Sequence, residues 1–147
     1  MNLTFPVLNT SVHVVVAEDD NISRVMLQAI LRKWGYDVVT AKNGTEAMEL
    51  LCTSQRPIIG FLDWHLPDVE GLAICQNLRR ISVEQPIHLV LTTSVKEGDE
   101  GLRALEAGAD DFLPKPYSVN DLNVQLLKAE RHLNLLSRLN EAGGKVA

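Results

Sequence analysis

An α/β fold, a doubly wound open sheet of five parallel strands, is what this sequence predicts, and three observations carry it. Short apolar runs recur along the chain, several rich in β-branched residues. Each is followed by a segment with helical spacing. The runs are continuous rather than alternating, as in strands buried on both faces. Five such units in about 120 residues suit an open parallel sheet covered by helices on both sides.

Val12, Val14, Val15, Val16 and Ala17 form the first run, which stops at Glu18-Asp19-Asp20. Ile22, Val25, Met26, Ala29, Ile30 and Trp34 follow at the spacing of one helical face, and Gly35 supplies the stop. Tyr36 to Thr40 reads as the second strand. In "NGTEAMELL", Asn43 can cap a helix, with Glu46 three residues on as in a capping box. The third strand is Ile58 to Asp63, and its helix turns Leu72, Cys75 and Leu78 inward. The fourth is "IHLVLT". Ser94 and Glu97 then have capping-box spacing ahead of a helix ending at Gly108, with Leu102 and Leu105 as a thin apolar stripe. "DFL" at 111–113 is the fifth, and Ser118 with Asp121 opens a last, longer helix.

The totals narrow the function classes. A chain of 147 residues with 46% hydrophobic and 22% charged residues has the make-up of one globular domain. Fourteen Lys and Arg against nineteen Asp and Glu give a net charge of -5, so no direct binding to nucleic acid or to anionic lipid is expected. Cys52 and Cys75 lie among apolar neighbours without a CxxC pair and read as reduced core residues. The start lacks a basic stretch followed by a long apolar one, and no run of about 20 apolar residues occurs. A cytoplasmic protein without membrane association is expected.

Ligands of open α/β sheets bind beyond the carboxyl ends of the strands. Glu18, Asp19 and Asp20 stand there after strand one, Asp63 after strand three, Thr92, Thr93 and Ser94 after strand four, and Lys115 after strand five. If strands one and three are neighbours, as in the strand order 2-1-3-4-5, their carboxylates converge, and they repel unless a cation sits among them or one takes a proton. An all-oxygen donor set with room for water suits Mg²⁺. Several of these residues have plainer readings: Asp20 as the cap of the first helix, Ser94 as a cap, Thr92, Thr93 and Lys115 as ordinary strand-end or solvated residues. Asp63 fits capping poorly, because Pro67 and Gly71 delay the next helix. His13, His65, His88 and His132 show no HxxxH or other ligand spacing, which disfavours zinc. A carboxylate nucleophile, a metal and a lysine together form a minimal apparatus for accepting a phosphoryl group.

The segments "VVVAEDDNISR", "FLDWHLPDVEG", "VLTTS" and "GADDFLPKP", in this order and at these intervals, resemble the receiver domain of two-component response regulators, a flavodoxin-like (βα)5 fold. The resemblance runs from about Val12 to Arg131. It implies Asp63 as the phosphoacceptor, and Glu18 with Asp19 as the acidic pair that holds Mg²⁺ beside Asp63, helped by the backbone carbonyl of His65. Thr93, 30 residues after Asp63 and 22 before Lys115, matches the switch hydroxyl. Lys115 matches the family's lysine, with a cis bond to Pro116, and Phe112 falls at the aromatic switch position. Glu18 stands where Asp is commoner, Glu70 where the turn usually has Asp, and Phe112 where Tyr is frequent.

The implied function is a signalling switch. Asp63 takes a phosphoryl group from a phosphohistidine on a sensor histidine kinase or a histidine phosphotransfer protein. The face made by helix four, strand five and helix five then changes, to control a downstream protein or a missing C-terminal output domain. Such a chain catalyses its own phosphorylation and dephosphorylation rather than turnover of small substrates. The expected organisation is an N-terminal extension at 1–11, the receiver domain at 12–131, and a helical extension with a flexible tail at 132–147. Leu122, Leu126, Ala129, Leu133, Leu136 and Asn140 follow the a/d spacing of a coiled coil. Up to residue 129 this is either the core face of the last helix or a dimer seam. Leu133, Leu135, Leu136 and Leu139 call for a partner, either a twin helix in a homodimer or an output domain.

Two rivals remain at this point. A phosphatase of the haloacid-dehalogenase type also uses an Asp nucleophile with Mg²⁺, but wants a second Asp where His65 stands. A flavodoxin-like cofactor binder needs a phosphate loop after strand one, where this chain is acidic.

Overall fold

The computed structural model describes residues 12–94 and 98–143. The expected N-terminal extension at 1–11, Glu97 and the last four residues of the expected tail lie outside the described residues. Five strands alternate with five helices: β1 His13–Ala17, α1 Asn21–Lys33, β2 Asp37–Ala41, α2 Gly44–Thr53, β3 Ile58–Asp63, α3 Gly71–Arg80, β4 Ile87–Thr93, α4 Glu100–Glu106, β5 Asp111–Pro114 and α5 Val119–Gly143. The sheet is parallel, in the order β2-β1-β3-β4-β5.

Alternation within each strand splits the core in two. Val14 and Val16 of β1, Ile59 and Phe61 of β3 and Val90 of β4 turn to one face, where α1 and α5 cover them with Leu27, Leu31, Leu122, Leu126 and Ala129. Val15, Ala17, Leu62, Leu89 and Leu91 turn to the other, under Ala47 and Leu51 of α2, Ile74, Cys75 and Leu78 of α3 and Ala104 of α4. Both faces of β3 and β4 are buried along their whole lengths, which is why their sequences read as unbroken apolar runs.

Local signals set most helix starts. Asp20 caps α1 through the Ser23 N–H at 2.8 Å. Asn43 accepts from the Glu46 N–H at 2.8 Å, while Glu46 accepts in return from Lys42 N–H at 2.8 Å. Ser118 and Asp121 form a reciprocal box at 2.9 and 3.0 Å at the start of α5.

Five expectations need correction. The buried side of α1 is Arg24, Leu27 and Leu31; of the expected face Ile30 and Trp34 do pack against the core, whereas Ile22, Val25 and Met26 are exposed, Ile22 at 71%. The apolar majority of this helix lies beside the core face, which uses a buried arginine as its third member. Leu102 and Leu105 likewise face solvent, so α4 touches the core mainly through Ala104 and Ala107. Ser94 does not cap α4, which begins at Glu100 with Asp99 in the cap position and no side-chain cap bond. Cys52 is exposed and only Cys75 is buried. Leu133 is buried in the α1/α5 cluster, which therefore extends past residue 131, because α5 continues as one helix packed against the sheet. The a/d series up to Leu133 is thus core, and Leu135 and Leu139 are what remain exposed.

Candidate functional site

The parallel register carries β1 and β3 side by side, with Ala17 opposite Leu62. The next residue of each strand, Glu18 and Asp63, therefore emerges at the same edge. Asp63 is still in β3, paired with Thr92, and is 8% exposed. Behind it the chain turns back on itself. Gly71 N–H donates to the Trp64 carbonyl at 3.0 Å, and a Cβ on Gly71 would lie 2.4 Å from the Asp63 carbonyl oxygen. Only glycine allows α3 to start this close to the strand end.

Carboxylate oxygens of Glu18, Asp19 and Asp63 lie within 4.8 Å of one another, with Glu18 and Asp63 buried and Asp19 exposed. Lys115 closes the group: its Nζ donates to Glu18 Oε1 at 2.5 Å and to Asp63 Oδ2 at 3.3 Å. Three carboxylates therefore face one ammonium. Burial, followed by the adjoining Asp63, raises the Glu18 pKa against the opposing pull of Lys115. Burial alone would lower the Lys115 pKa, but the carboxylates outweigh it and the net direction is upward. For Lys115 the net direction reflects the surplus of negative charge around it, and for Glu18 that surplus adds to the effect of burial. At about 4 Å, two unit charges near a protein surface repel by roughly 4 kcal/mol, so the arrangement favours a further cation. The donors are all oxygen, and the exposed Asp19 side leaves room for water, which fits Mg²⁺.

Other expected residues fall around this centre. His65 follows Asp63 by two and its N–H donates to Asp63 Oδ1 at 3.2 Å, while its exposed ring reaches only toward Glu70, 3.9 Å away. Thr93 is 1% exposed at the end of β4, where its carbonyl accepts the Lys115 N–H at 2.7 Å. The Lys115-Pro116 bond is cis. Phe112 is half-buried and stands edge-on to Trp64, ring centroids 6.4 Å apart. Trp64 in turn lies under the Arg103 guanidinium of α4 at 5.1 Å, so a ring next to the acidic centre touches both α4 and β5.

Sequence reading missed two residues of this region. Arg24 is buried and donates to the Glu18 carbonyl at 3.1 Å, with Asn21 Oδ1 as a second acceptor, bracing the acidic loop from below. Its signal was its spacing to Leu27 and Leu31, three and seven residues on, the true inward stripe of α1. Asp68, at a left-handed φ of 63°, ties the loop after β3 to the start of α2 by accepting from the Gly44 N–H at 2.9 Å and the Thr45 hydroxyl at 2.7 Å.

Comparison with known proteins adds the relatives. The family described as the response regulator receiver domain matches residues 14–127. Response regulator MprA of Mycobacterium ulcerans (strain Agy99) is 39% identical over 139 residues, 93% of this chain and 57% of MprA. The alkaline phosphatase synthesis transcriptional regulatory protein PhoP of Bacillus subtilis (strain 168) is 37% identical over 113 residues, 77% of this chain and 46% of PhoP. The chain thus spans about half the length of the curated relatives it matches. Among solved structures, a chain of the co-crystal of the Saccharomyces cerevisiae histidine phosphotransfer signaling protein Ypd1 and the receiver domain of its downstream response regulator Ssk1 superposes with a TM-score of 0.70. It shares 25% identity, and the match covers 80% of this chain and 86% of that one. The haloacid-dehalogenase alternative finds no support in these matches. With its five-stranded parallel sheet, its acidic strand ends and more than three quarters of its length matched, this chain belongs to the response regulator receiver domain family.

Proposed function

We propose that Asp63 is the phosphoacceptor of a signalling switch, receiving its phosphoryl group from a phosphohistidine of a sensor histidine kinase or a histidine phosphotransfer protein. The observation that carries this is the placement of Lys115 Nζ between Glu18 and Asp63, at 2.5 and 3.3 Å. Glu18, Asp19, Asp63 and the backbone carbonyl of His65 would hold Mg²⁺, which when bound neutralises charge on the transferring oxygens. An Asp63 carboxylate oxygen attacks phosphorus as the bond from phosphorus to the imidazole nitrogen breaks; the imidazole leaves with the electron pair and Asp63 becomes an acyl phosphate. Lys115 pairs with the new oxygens, and Thr93 offers its hydroxyl to one of them.

The output follows from how α4 and β5 are held. Lys115 and Thr93 are joined through the backbone at 2.7 Å, so a pull on either moves the ends of β4 and β5 together. Phe112, half-buried against Trp64, would turn with them, and α4, which meets the core through small alanines, is the element easiest to displace. The changed α4–β5–α5 face would act on a downstream protein or on an output domain, a reading supported by relatives of which the match covers only 57% and 46%. A homodimer through the C-terminal helix is part of the same proposal and rests on exposed Leu135 and Leu139. Among the described residues no helix is long and apolar enough to cross a membrane.

Incubating the chain with Mg²⁺ and a small phosphodonor tests the reading. The intact mass should rise by one phosphoryl group, and Asp63→Asn should abolish the gain. An unchanged mass, or labelling that survives the substitution, would reject it.

A further inference from the structure

At the opposite end of the sheet a second group of ligand-type side chains converges. His88 is the second residue of β4, Asp110 immediately precedes β5, and His132 lies on α5 where it passes this edge. The histidines are 44 residues apart, which is why no ligand spacing marks them in the sequence. Their Nδ1 atoms lie 2.9 Å apart, and Asp110 Oδ1 is 3.8 Å from His132 Nδ1. One ligand atom from each of the three lies within 4.8 Å of the others. Thr92, the partner of Asp63, lies four positions along β4 from His88, so at about 3.3 Å per residue the group sits roughly 13 Å from the acidic centre.

The group is poorly explained as packing. His88 is 4% exposed, and its Nε2 is buried with no hydrogen-bond partner among the described residues. An apolar residue would fill this place without that cost, so what the imidazole contributes here is its Nδ1, the nitrogen that meets His132. Asp110 is held in position from its other oxygen: Oδ2 accepts from Arg79 at 2.6 Å and from the Leu89 N–H at 2.8 Å, which leaves Oδ1 turned toward His132. Burial keeps His88 neutral, pushing its pKa down to about 4, and neutral imidazole is the form that ligates a metal. A cavity of about 320 Å³, lined by Arg79, Gln85, Asp110, His132 and Asn140 among others, reaches the group and offers an entry path and space for water.

We propose that His88, His132 and Asp110 form a binding site for a transition metal of the zinc class, through the two Nδ1 atoms and Asp110 Oδ1, with water completing a tetrahedron. Two imidazoles and one carboxylate suit such an ion, whereas the all-carboxylate centre around Asp63 suits a hard one. With Zn–N bonds of about 2.0–2.1 Å, tetrahedral ligands stand about 3.3 Å apart. The nitrogens need open by only a few tenths of an ångström, and half-exposed His132 has the freedom to move. The bound metal would fasten α5 to the ends of β4 and β5 just before exposed Leu135 and Leu139, fixing the direction in which the helix leaves the domain.

The test is zinc titration of the full chain by calorimetry in excess Mg²⁺, which occupies the acidic centre. One Zn²⁺ should bind per chain, and Co²⁺ in its place should give the intense visible absorption of a tetrahedral complex. His132→Gln should weaken Zn²⁺ at least about tenfold, while Asp63→Asn leaves it unchanged. Imidazole ¹⁵N NMR of the unsubstituted chain provides a readout that needs no variant: zinc should shift Nδ1 of both His88 and His132. No zinc uptake, uptake insensitive to His132→Gln, uptake lost in Asp63→Asn, or unmoved imidazole nitrogens would each overturn the site, leaving a histidine pair joined by a simple hydrogen bond.

Discussion

Lys115 Nζ is closer to Glu18, at 2.5 Å, than to Asp63, at 3.3 Å. The ammonium therefore engages the carboxylates that a divalent cation would also use, and the two would compete for them. Replacing it with a neutral side chain of similar length leaves Glu18 and Asp63 facing each other. Lys115→Met should bind Mg²⁺ about tenfold more tightly by tryptophan fluorescence, a fraction of the roughly 4 kcal/mol available at 4 Å, because Lys115 is partly open to water. Without Mg²⁺ the same variant should melt below the parent protein, and added Mg²⁺ should restore the difference.

Gly71 meets Asp63 through backbone, which cannot give way as a side-chain tip can. A methyl group there would lie 2.4 Å from the Asp63 carbonyl and 2.9 Å from Leu91 Cδ2. Gly71→Ala should cost about 1–3 kcal/mol in denaturant unfolding and slow phosphoryl uptake by displacing the end of β3. Gly101→Ala is the control within α4: its nearest contact is Phe112 Cδ2 at an ordinary 3.8 Å. The alanine should be neutral or stabilising by up to about 1 kcal/mol.

Arg24 holds the acidic loop from the protein side. Its guanidinium donates to the Glu18 carbonyl at 3.1 Å and also engages Asn21. Arg24→Leu should lower stability by about 1–3 kcal/mol, the cost of leaving a buried acceptor unpaired. It should also weaken Mg²⁺ binding, although Arg24 supplies no donor to the ion. Arg24→Lys keeps the charge but loses the planar fork. It should recover less than half of the lost Mg²⁺ affinity in the same fluorescence titration.

These residues show where the sequence was readable and where it was not. β3 ending on Asp63 is visible because a strand buried on both faces has no alternation to hide the break, and Gly71 marks the delayed helix behind it. The core face of α1 was misread because Ile22, Val25 and Met26 outnumber Leu27 and Leu31, and counting apolar positions cannot recognise a buried arginine as part of the inward stripe. Leu133 was misplaced because the length of a sheet edge is not written in the helix that covers it. The convergence of His88 with His132 depends on the register of β4 against α5, and no local spacing encodes that.

Asp68 provides a pH-dependent test of the loop behind Asp63. Its carboxylate accepts from the Thr45 hydroxyl and from the N–H groups of Gly44 and Thr45, and it sits at the start of α2. The Thr45 hydrogen bond first, with backbone N–H groups of Val69, Thr45 and Gly44 adding to it, depresses its pKa below the ordinary 3.8. A group whose folded pKa is lowered stabilises fully above its unfolded value and loses that contribution as pH falls toward the folded value. Asn tolerates the left-handed φ of 63° and keeps one acceptor oxygen, so Asp68→Asn isolates the charge. Its melting temperature should lie below the parent's near neutral pH, and the gap should close as pH falls below 3.8. Asp68→Ala, lacking both the acceptor and the tolerance for that backbone, should melt lower still at every pH. A gap between parent and Asp68→Asn that stayed constant down to the acid limit would show that the carboxylate's charge has no part in holding the loop.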